Sequence, residues 1–345
     1  MELEPKGGFR SVEMSYSYDG EDLANPRILV VGCGNAGCNM VTRLANLGVH
    51  GAEIVAVNTD RRRMDKIKAD KKILIGRGVA GGDGAGGDPE LGRIAAERSR
   101  HILEEALGSA DLVFVAAGLG GGTGMGAAPT ICEIARNLGA TAVGIFTLPL
   151  GAGWRRGDEG PDNPVKIENL VKAANTLILL DNNRILEMAP DLSAEQAFSV
   201  MDQVVAEIAK GITETVTQTS LINLDYADVK TIMSRGGLSA VLVGEADTKD
   251  GAEEVVFSAL RSPMLEMEIK RATGCLLHMT GGRDLTLKKA ATIAGVLTRE
   301  LDPEANVIWG ARVKESYEGK IGLMAIMTGA GMPPVFGQRK ELDRD

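Results

Sequence analysis

Two glycine-rich segments stand out as places where a chain could hold phosphate. The first, Gly32-Cys-Gly-Asn-Ala-Gly-Cys-Asn39, has G-x-G-x-x-G spacing, and Asp60 follows at about the distance where a dinucleotide fold sets its ribose carboxylate. The second, Ala117-Gly-Leu-Gly-Gly-Gly-Thr-Gly-Met-Gly126, places five glycines in the eight residues Gly118 to Met125. Such density is entropically costly, so it predicts a backbone that must approach something closely. Crowded N–H groups and the dipole of a following helix suit an anion, and Thr123 adds a hydroxyl donor. The competing structural reading is a hinge or lid. No Lys follows the glycines, so this is not a Walker A loop, and phosphate charge must be met by N–H groups and a cation. A third segment, Gly81-Gly-Asp-Gly-Ala-Gly-Gly87, adds to the set. A dinucleotide fold needs one such loop; several argue for a triphosphate held from several sides. Far downstream, Asp225 and Asp228 form a D-x-x-D pair after Asn223. Alone, such a pair usually marks a turn.

These loops need elements to position them. Arg27–Val31, Glu53–Val57, Lys72–Ile75, Asp111–Val115, Thr141–Phe146 and Thr176–Leu180 read as buried strands, with helical stretches such as Pro89–Leu107 and Ala127–Leu138 between them. Nearly continuous apolar strands between amphipathic helices predict a parallel sheet covered on both faces. Ser193–Val216 reads as a long helix with a Ser193/Gln196 capping box and an apolar stripe from Met201 to Val216. Beyond it, Ala240–Val243, Gly274–His278, Asn306–Trp309 and Gly322–Met327 read as strands and Gly251–Arg261 and Leu287–Leu301 as helices, a second, smaller α/β unit.

Composition bounds the function. The chain has 345 residues, 44% hydrophobic, with a net charge of −9, which speaks against nucleic-acid binding and against docking on anionic lipid. Its four cysteines form no C-x-x-C pair, consistent with a reducing cytoplasm. No apolar run reaches the roughly 18 residues of a membrane span, so direct membrane insertion is not expected. The polar stretches Met1–Asn25 and Phe336–Asp345 read as tails. His50, His101 and His278 lack ligand spacing, and no protein metal site is expected.

On these residues the chain resembles the tubulin/FtsZ superfamily, nearest its prokaryotic FtsZ branch. Gly120-Gly-Gly-Thr-Gly-Met-Gly126 resembles the signature GGGTG(T/S)G, with Met125 where the family has a small hydroxyl residue. Val57–Asp60, Gly84–Glu90, Asn223–Val229, Leu260–Pro263 and Thr280–Leu285 resemble further family segments in the same order, and together the likeness covers roughly residues 27 to 330. The resemblance implies an α/β fold: a Rossmann-like GTPase domain (27–192), a central helix (193–220) and a C-terminal α/β domain (221–330), flanked by tails 1–26 and 331–345. It implies GTP and GDP as ligands, with Mg²⁺ completing charge neutralisation. Gly34, Asn35, Ala36, Gly37, Cys38 and Asn39 would wrap the α- and β-phosphates. Gly118, Gly120, Gly121, Gly122, Thr123, Gly124 and Met125 would hold the β- and γ-phosphates. Asp60 and the loop with Gly86 and Gly87 would lie near them, and Asp202 would read guanine. Asn223, Asp225 and Asp228 would act on the nucleotide of the next subunit in a head-to-tail homopolymer at the division site.

The chain departs from that pattern in two places. In Thr147–Glu159 the family's ribose-contacting Glu is absent at its expected place, and Arg156, with Arg155 as the alternative, would meet ribose and base. After Gly329 there is no long linker and no apolar adaptor-binding peptide, although a membrane-tethering adaptor is expected. The rival readings are a dinucleotide-dependent oxidoreductase and a related protein serving cell shape or membrane remodelling.

Overall fold

Runs of branched aliphatic residues make the strands. The computed structural model describes residues 25–150, 167–218, 220–234, 236–261 and 267–331. In order along the chain, β1 (Ile28–Cys33) leads to α1 (Gly34–Leu47), and β2 (Ala52–Asn58) to the short α2 (Arg61–Met64). Next come β3 (Lys71–Leu74), α3 (Arg77–Ala80), α4 (Pro89–Arg98) and α5 (Arg100–Leu107). Then follow β4 (Leu112–Gly118), α6 (Gly122–Asn137), β5 (Thr141–Leu148), α7 (Ile167–Ala173), β6 (Thr176–Asp181) and α8 (Asn182–Met188). The central α9 (Ala194–Thr217) and α10 (Tyr226–Ser234) precede β7 (Leu238–Asp247), α11 (Ala252–Arg261), β8 (Gly274–Gly281), α12 (Leu287–Thr298), β9 (Asn306–Val313) and β10 (Lys320–Thr328).

All ten strands form one sheet in the order β3-β2-β1-β4-β5-β6-β7-β10-β8-β9. The first six run parallel, and β1 and β5 are buried along their whole length, as expected of strands covered on both faces. The strands of the second, smaller α/β unit continue the same sheet. There β7 joins β6 in parallel through only two residue pairs, Leu177–Leu238 and Ile178–Ser239. β10 then runs antiparallel to both β7 and β8.

Helix α9 straddles that junction. Its Ser193 N-cap makes the expected capping box with Gln196. Its buried stripe of Ala197, Met201, Val205, Ile208 and Ile212 packs with Phe114 and Ile178 of the first half and with Val241, Leu276 and Ile326 of the second. Near its C-terminal end Glu214 pairs with Arg312 of β9 at 2.7 Å, and Gln218 accepts from the same guanidinium. One rigid rod therefore touches both halves of the sheet.

Two helix boundaries differ from the sequence reading. The segment expected as a single helix from Pro89 to Leu107 breaks at Ser99, whose hydroxyl accepts from the Gly76 N–H at 3.1 Å. Helix α6 starts at Gly122, inside the glycine loop, rather than near Ala127, although glycine is a poor helix former. Close packing overrides propensity there: a Cβ at Gly126 would lie 1.9 Å from the Pro89 carbonyl oxygen of α4.

Candidate functional site

Parallel strands deliver their loops to one end of a sheet. At the C-terminal ends of β1, β2, β4, β5 and β6 the loops enclose a cleft of about 1160 Å³, with the first turns of α9 as its far wall. Asn35, Ala36 and Asn39 of α1 line it, as do Asp60, Gly86, Gly87, Gly118, Gly120, Gly121, Gly122, Thr123, Gly124 and Asp202. Residues of three glycine loops thus meet in one space, which exceeds what a dinucleotide site needs.

The loops are knitted together. Asn58 Nδ2 donates to Asn35 Oδ1 at 3.0 Å, and its Oδ1 accepts from the Thr59 N–H at 2.8 Å. The Thr59 and Thr123 hydroxyls share a hydrogen bond at 2.7 Å, which leaves the accepting hydroxyl with a proton to donate. Asp60 accepts from the Arg63 N–H and caps α2, while Gly84 N–H donates to Thr59 O at 3.3 Å and ties the third loop to the segment after β2. Gly86 and Gly87 hold left-handed backbone, at φ +58 and +88, in open space.

The glycines of the second loop divide between two jobs. A Cβ at Gly122 would sit 2.5 Å from Asp88 O, and one at Gly124 would sit 2.6 Å from Gly118 O, so these two exist for packing. Gly34 is pressed the same way, a Cβ there falling 2.7 Å from the Gly124 nitrogen, which brings the two helix starts into contact. At Gly121 a Cβ would meet nothing within 4 Å, and at Gly120 only Pro149 at 3.3 Å. Those two present bare backbone to the cleft. The first N–H groups of α1 and α6 have no intrahelical partners and face the same end. Such an arrangement suits an anion, and no lysine stands among the described lining residues.

Other expected residues serve the scaffold. The Cys38 thiol is buried against Gly32 and Val57 carbonyls, and burial pushes its pKa up to about 12. Gly37 allows α1 to approach β4, a Cβ there falling 2.2 Å from Ala116 O. Met125 packs on the core formed by β4 and α6. Any contact from these three to a ligand would come from backbone. Arg156, Arg155 and Trp154 lie outside the described residues.

At the cleft's other end stand Asp202, Phe198, Ser199 and Asn182. Burial raises the Asp202 pKa to about 7, against the opposing pull of Arg43. Asn182 donates to Leu148 O at 2.5 Å, but its Oδ1 is buried without a partner among the described residues. Such an orphaned acceptor is costly unless a ligand supplies the donor. Sequence reasoning missed Asn182, Asn58 and Thr59. Asn58 and Thr59 stood in the Val57–Asp60 segment beside Asp60, whereas Asn182 carried no signal beyond following a strand.

The acidic residues are not part of this cleft. Asn223 Oδ1 accepts from the Ser220 N–H at 2.6 Å, and Asp225 Oδ1 accepts from the Asp228 N–H at 2.8 Å at the start of α10. Tyr226 Oη donates to Asp111 O at 2.7 Å. Asp111 precedes β4 whereas Gly118 ends it, so the loop lies roughly 20 Å away at the opposite end of the sheet. Asn223 and Asp225 are exposed there. Among the described residues no three His, Cys, Asp or Glu side chains cluster as a metal site, and no helix is long and apolar enough to cross a membrane.

Residues 27–190 match the Tubulin/FtsZ family GTPase domain, and residues 237–331 match the FtsZ family C-terminal domain. Cell division protein FtsZ 2 of Halobacterium salinarum is 50% identical over 333 residues, covering 96% of this chain and 84% of that protein. Cell division protein FtsZ 2 of Methanocaldococcus jannaschii is 48% identical over 324 residues, covering 92% of this chain and 84% of that protein. Among solved structures, an empty FtsZ dimer from M. jannaschii superposes with a TM-score of 0.82 at 39% identity, covering 93% of this chain and 94% of that one. A GTPγS-bound CetZ2 protofilament from Haloferax volcanii shares the fold, with a TM-score of 0.74 at 22% identity over 89% of this chain and 94% of that one.

Proposed function

The chain belongs to the tubulin/FtsZ family, and from that premise we propose that it binds GTP and GDP, hydrolyses GTP and assembles head to tail into filaments that serve cell division. The observation that carries the reading is the separation of parts: a phosphate-binding cleft at one end of the sheet and an acidic loop at the other. Neither end is sufficient alone. Stacking one molecule on the next brings Asp225 and Asp228 of one subunit over the cleft of its neighbour.

The cleft suits a guanine nucleotide at both ends. Gly120 and Gly121 N–H groups and the first turns of α1 and α6 meet the phosphates without a lysine. Ionised Asp202 accepts from guanine N1–H and N2–H₂, and Asn182 Oδ1 offers the further acceptor that the free protein leaves unpaired. Asp60 lies at the phosphate end. Mg²⁺ would be held mainly by phosphate oxygens and water. When bound, Mg²⁺ supplies charge neutralisation on the phosphates. From the next subunit, Asp225 and Asp228 orient the attacking water and accept its proton, with Asn223 shaping their loop.

On this reading residues 27–192 bind nucleotide, 193–220 couple the halves and 221–330 carry the activating loop. Attachment to the membrane goes through a separate adaptor. Sedimentation with GTP and Mg²⁺, followed by electron microscopy, tests the proposal: filaments should pellet with GTP and stay soluble with GDP. A protein that binds GTP but forms no multimer at any protein concentration contradicts it.

A further inference from the structure

Positive charge is sparse along the described lining of the cleft. Among the described residues that line it, only Arg63 carries a positive charge, against Asp60, Asp83, Glu195 and Asp202. Its place in the fold is fixed from below. The Asp60 side chain caps α2 by accepting the Arg63 N–H at 3.1 Å, Asp60 bridges to Asp83, and the Arg61 N–H donates to Gly82 O at 2.9 Å. These bonds seat the exposed Arg63 beside the third glycine loop, on the β2 side of the cleft, whereas Asn182 follows β6. The guanidinium itself engages no hydrogen-bond or ion-pair partner among the described residues. Some arginines of this half are tied up, Arg93 with Glu90, Arg100 with Glu97 and Arg43 with Ser199; Arg63 differs from the remaining ones in lining the cleft.

We propose that Arg63 is a specificity residue that grips the terminal phosphate of GTP and so discriminates triphosphate from diphosphate. The inference rests on the guanine-nucleotide reading given above. With the base against Asp202 and Asn182 and the phosphates running past Gly120 and Gly121, the outermost phosphate reaches the side where Gly86, Gly87 and Arg63 stand. A guanidinium presents a planar fork that pairs with two phosphate oxygens at once and is never deprotonated. It supplies the fixed positive charge that the lysine-free glycine loops lack, and it reaches a group that GDP does not have.

The test is calorimetric titration of GTP and of GDP into the wild-type protein, Arg63→Ala and Arg63→Lys, each with and without Mg²⁺. In Arg63→Ala the Kd for GTP should rise roughly 10- to 100-fold while that for GDP changes by less than about threefold, the loss expected for a charge-assisted contact made to one ligand only. Arg63→Lys keeps the charge but not the fork and should fall between. The GTP effect should be larger without Mg²⁺, because less positive charge then remains on the terminal phosphate. Retained GDP binding reports an intact fold. An equal loss for both nucleotides, or an unchanged GTP affinity in Arg63→Ala, overturns the assignment while leaving the functional reading standing. A wild-type protein that binds neither nucleotide overturns that reading and this inference together.

Discussion

Asp202 should make GTP binding depend on pH. In the free protein its carboxyl is half-buried in α9, and desolvation raises its pKa to about 7 despite the nearby Arg43. In the complex two N–H donors from guanine face it, which favours the ionised form and lowers its pKa. The complex therefore holds fewer protons at this site than the free protein. Affinity is full above pH 7 and falls as pH drops through 7, approaching tenfold per unit, or about 1.4 kcal/mol. Between pH 8 and pH 6 the Kd for GTP should rise about tenfold. The terminal phosphate also titrates near pH 6, so Asp202→Asn is the control: it keeps that titration and loses the carboxylate one. The Asn variant should show a much flatter profile and weaker binding at pH 8, and Asp202→Ala should lose about 1–3 kcal/mol at that pH. The sign for stability is opposite. A carboxyl whose folded pKa is raised contributes stability at low pH that is lost as pH rises through 7, so Asp202→Asn should raise the Tm of the nucleotide-free protein at pH 8. Calorimetric titration at several pH values reads the binding effect directly. Identical pH profiles for the wild type and Asp202→Asn would refute the claim that this carboxylate reads the base.

The glycines separate by role. Gly126→Ala must push a Cβ into the Pro89 carbonyl at 1.9 Å and should cost about 1–3 kcal/mol in thermal or urea unfolding, whereas Gly121→Ala, with nothing within 4 Å, should leave Tm unchanged yet weaken GTP binding. Glu214→Ala removes the carboxylate partner of Arg312 beneath α9, leaving only Gln218, and should destabilise the fold by about 1–3 kcal/mol in urea titration, discounted for the partly exposed guanidinium. Asp225→Ala and Asp228→Ala should bind GTP normally but hydrolyse almost none, and their filaments should persist in light scattering after wild-type filaments have dispersed.

Much of this architecture could be read from residue order. Strands such as Ile28–Val31 and Ala142–Phe146 are apolar throughout because both faces are covered, and that pattern survives any detail of packing. The capping box at Ser193 is a local signal with a local cause. What escaped was set by distant contacts. The start of α6 at Gly122 depends on α4 pressing against glycines, and the single sheet depends on two residue pairs between β6 and β7. At the site, the glycine loops and Asp202 were legible from type and spacing. The division of glycines between packing and open backbone was not, because it requires knowing what each missing side chain would strike. Asn182 and Arg63 were also illegible: an orphaned acceptor and a lone cation are defined by their surroundings, not by neighbours in sequence.

Completion of the active site between subunits is the central claim, and mixing two inactive variants tests it most directly. Gly121→Asp places a negative charge where phosphate binds without disturbing packing, and Asp228→Ala removes one carboxylate from the opposite end of the molecule. Each alone should hydrolyse little GTP. Mixed, they form some interfaces that pair the intact cleft of Asp228→Ala with the intact acidic loop of Gly121→Asp. Steady-state phosphate release from the mixture should therefore rise well above the sum of the two, and wild-type turnover should climb more steeply than linearly with protein concentration. Phosphate release from the mixture equal to that sum, with wild-type hydrolysis strictly proportional to protein at concentrations where only monomers exist, would contradict the account.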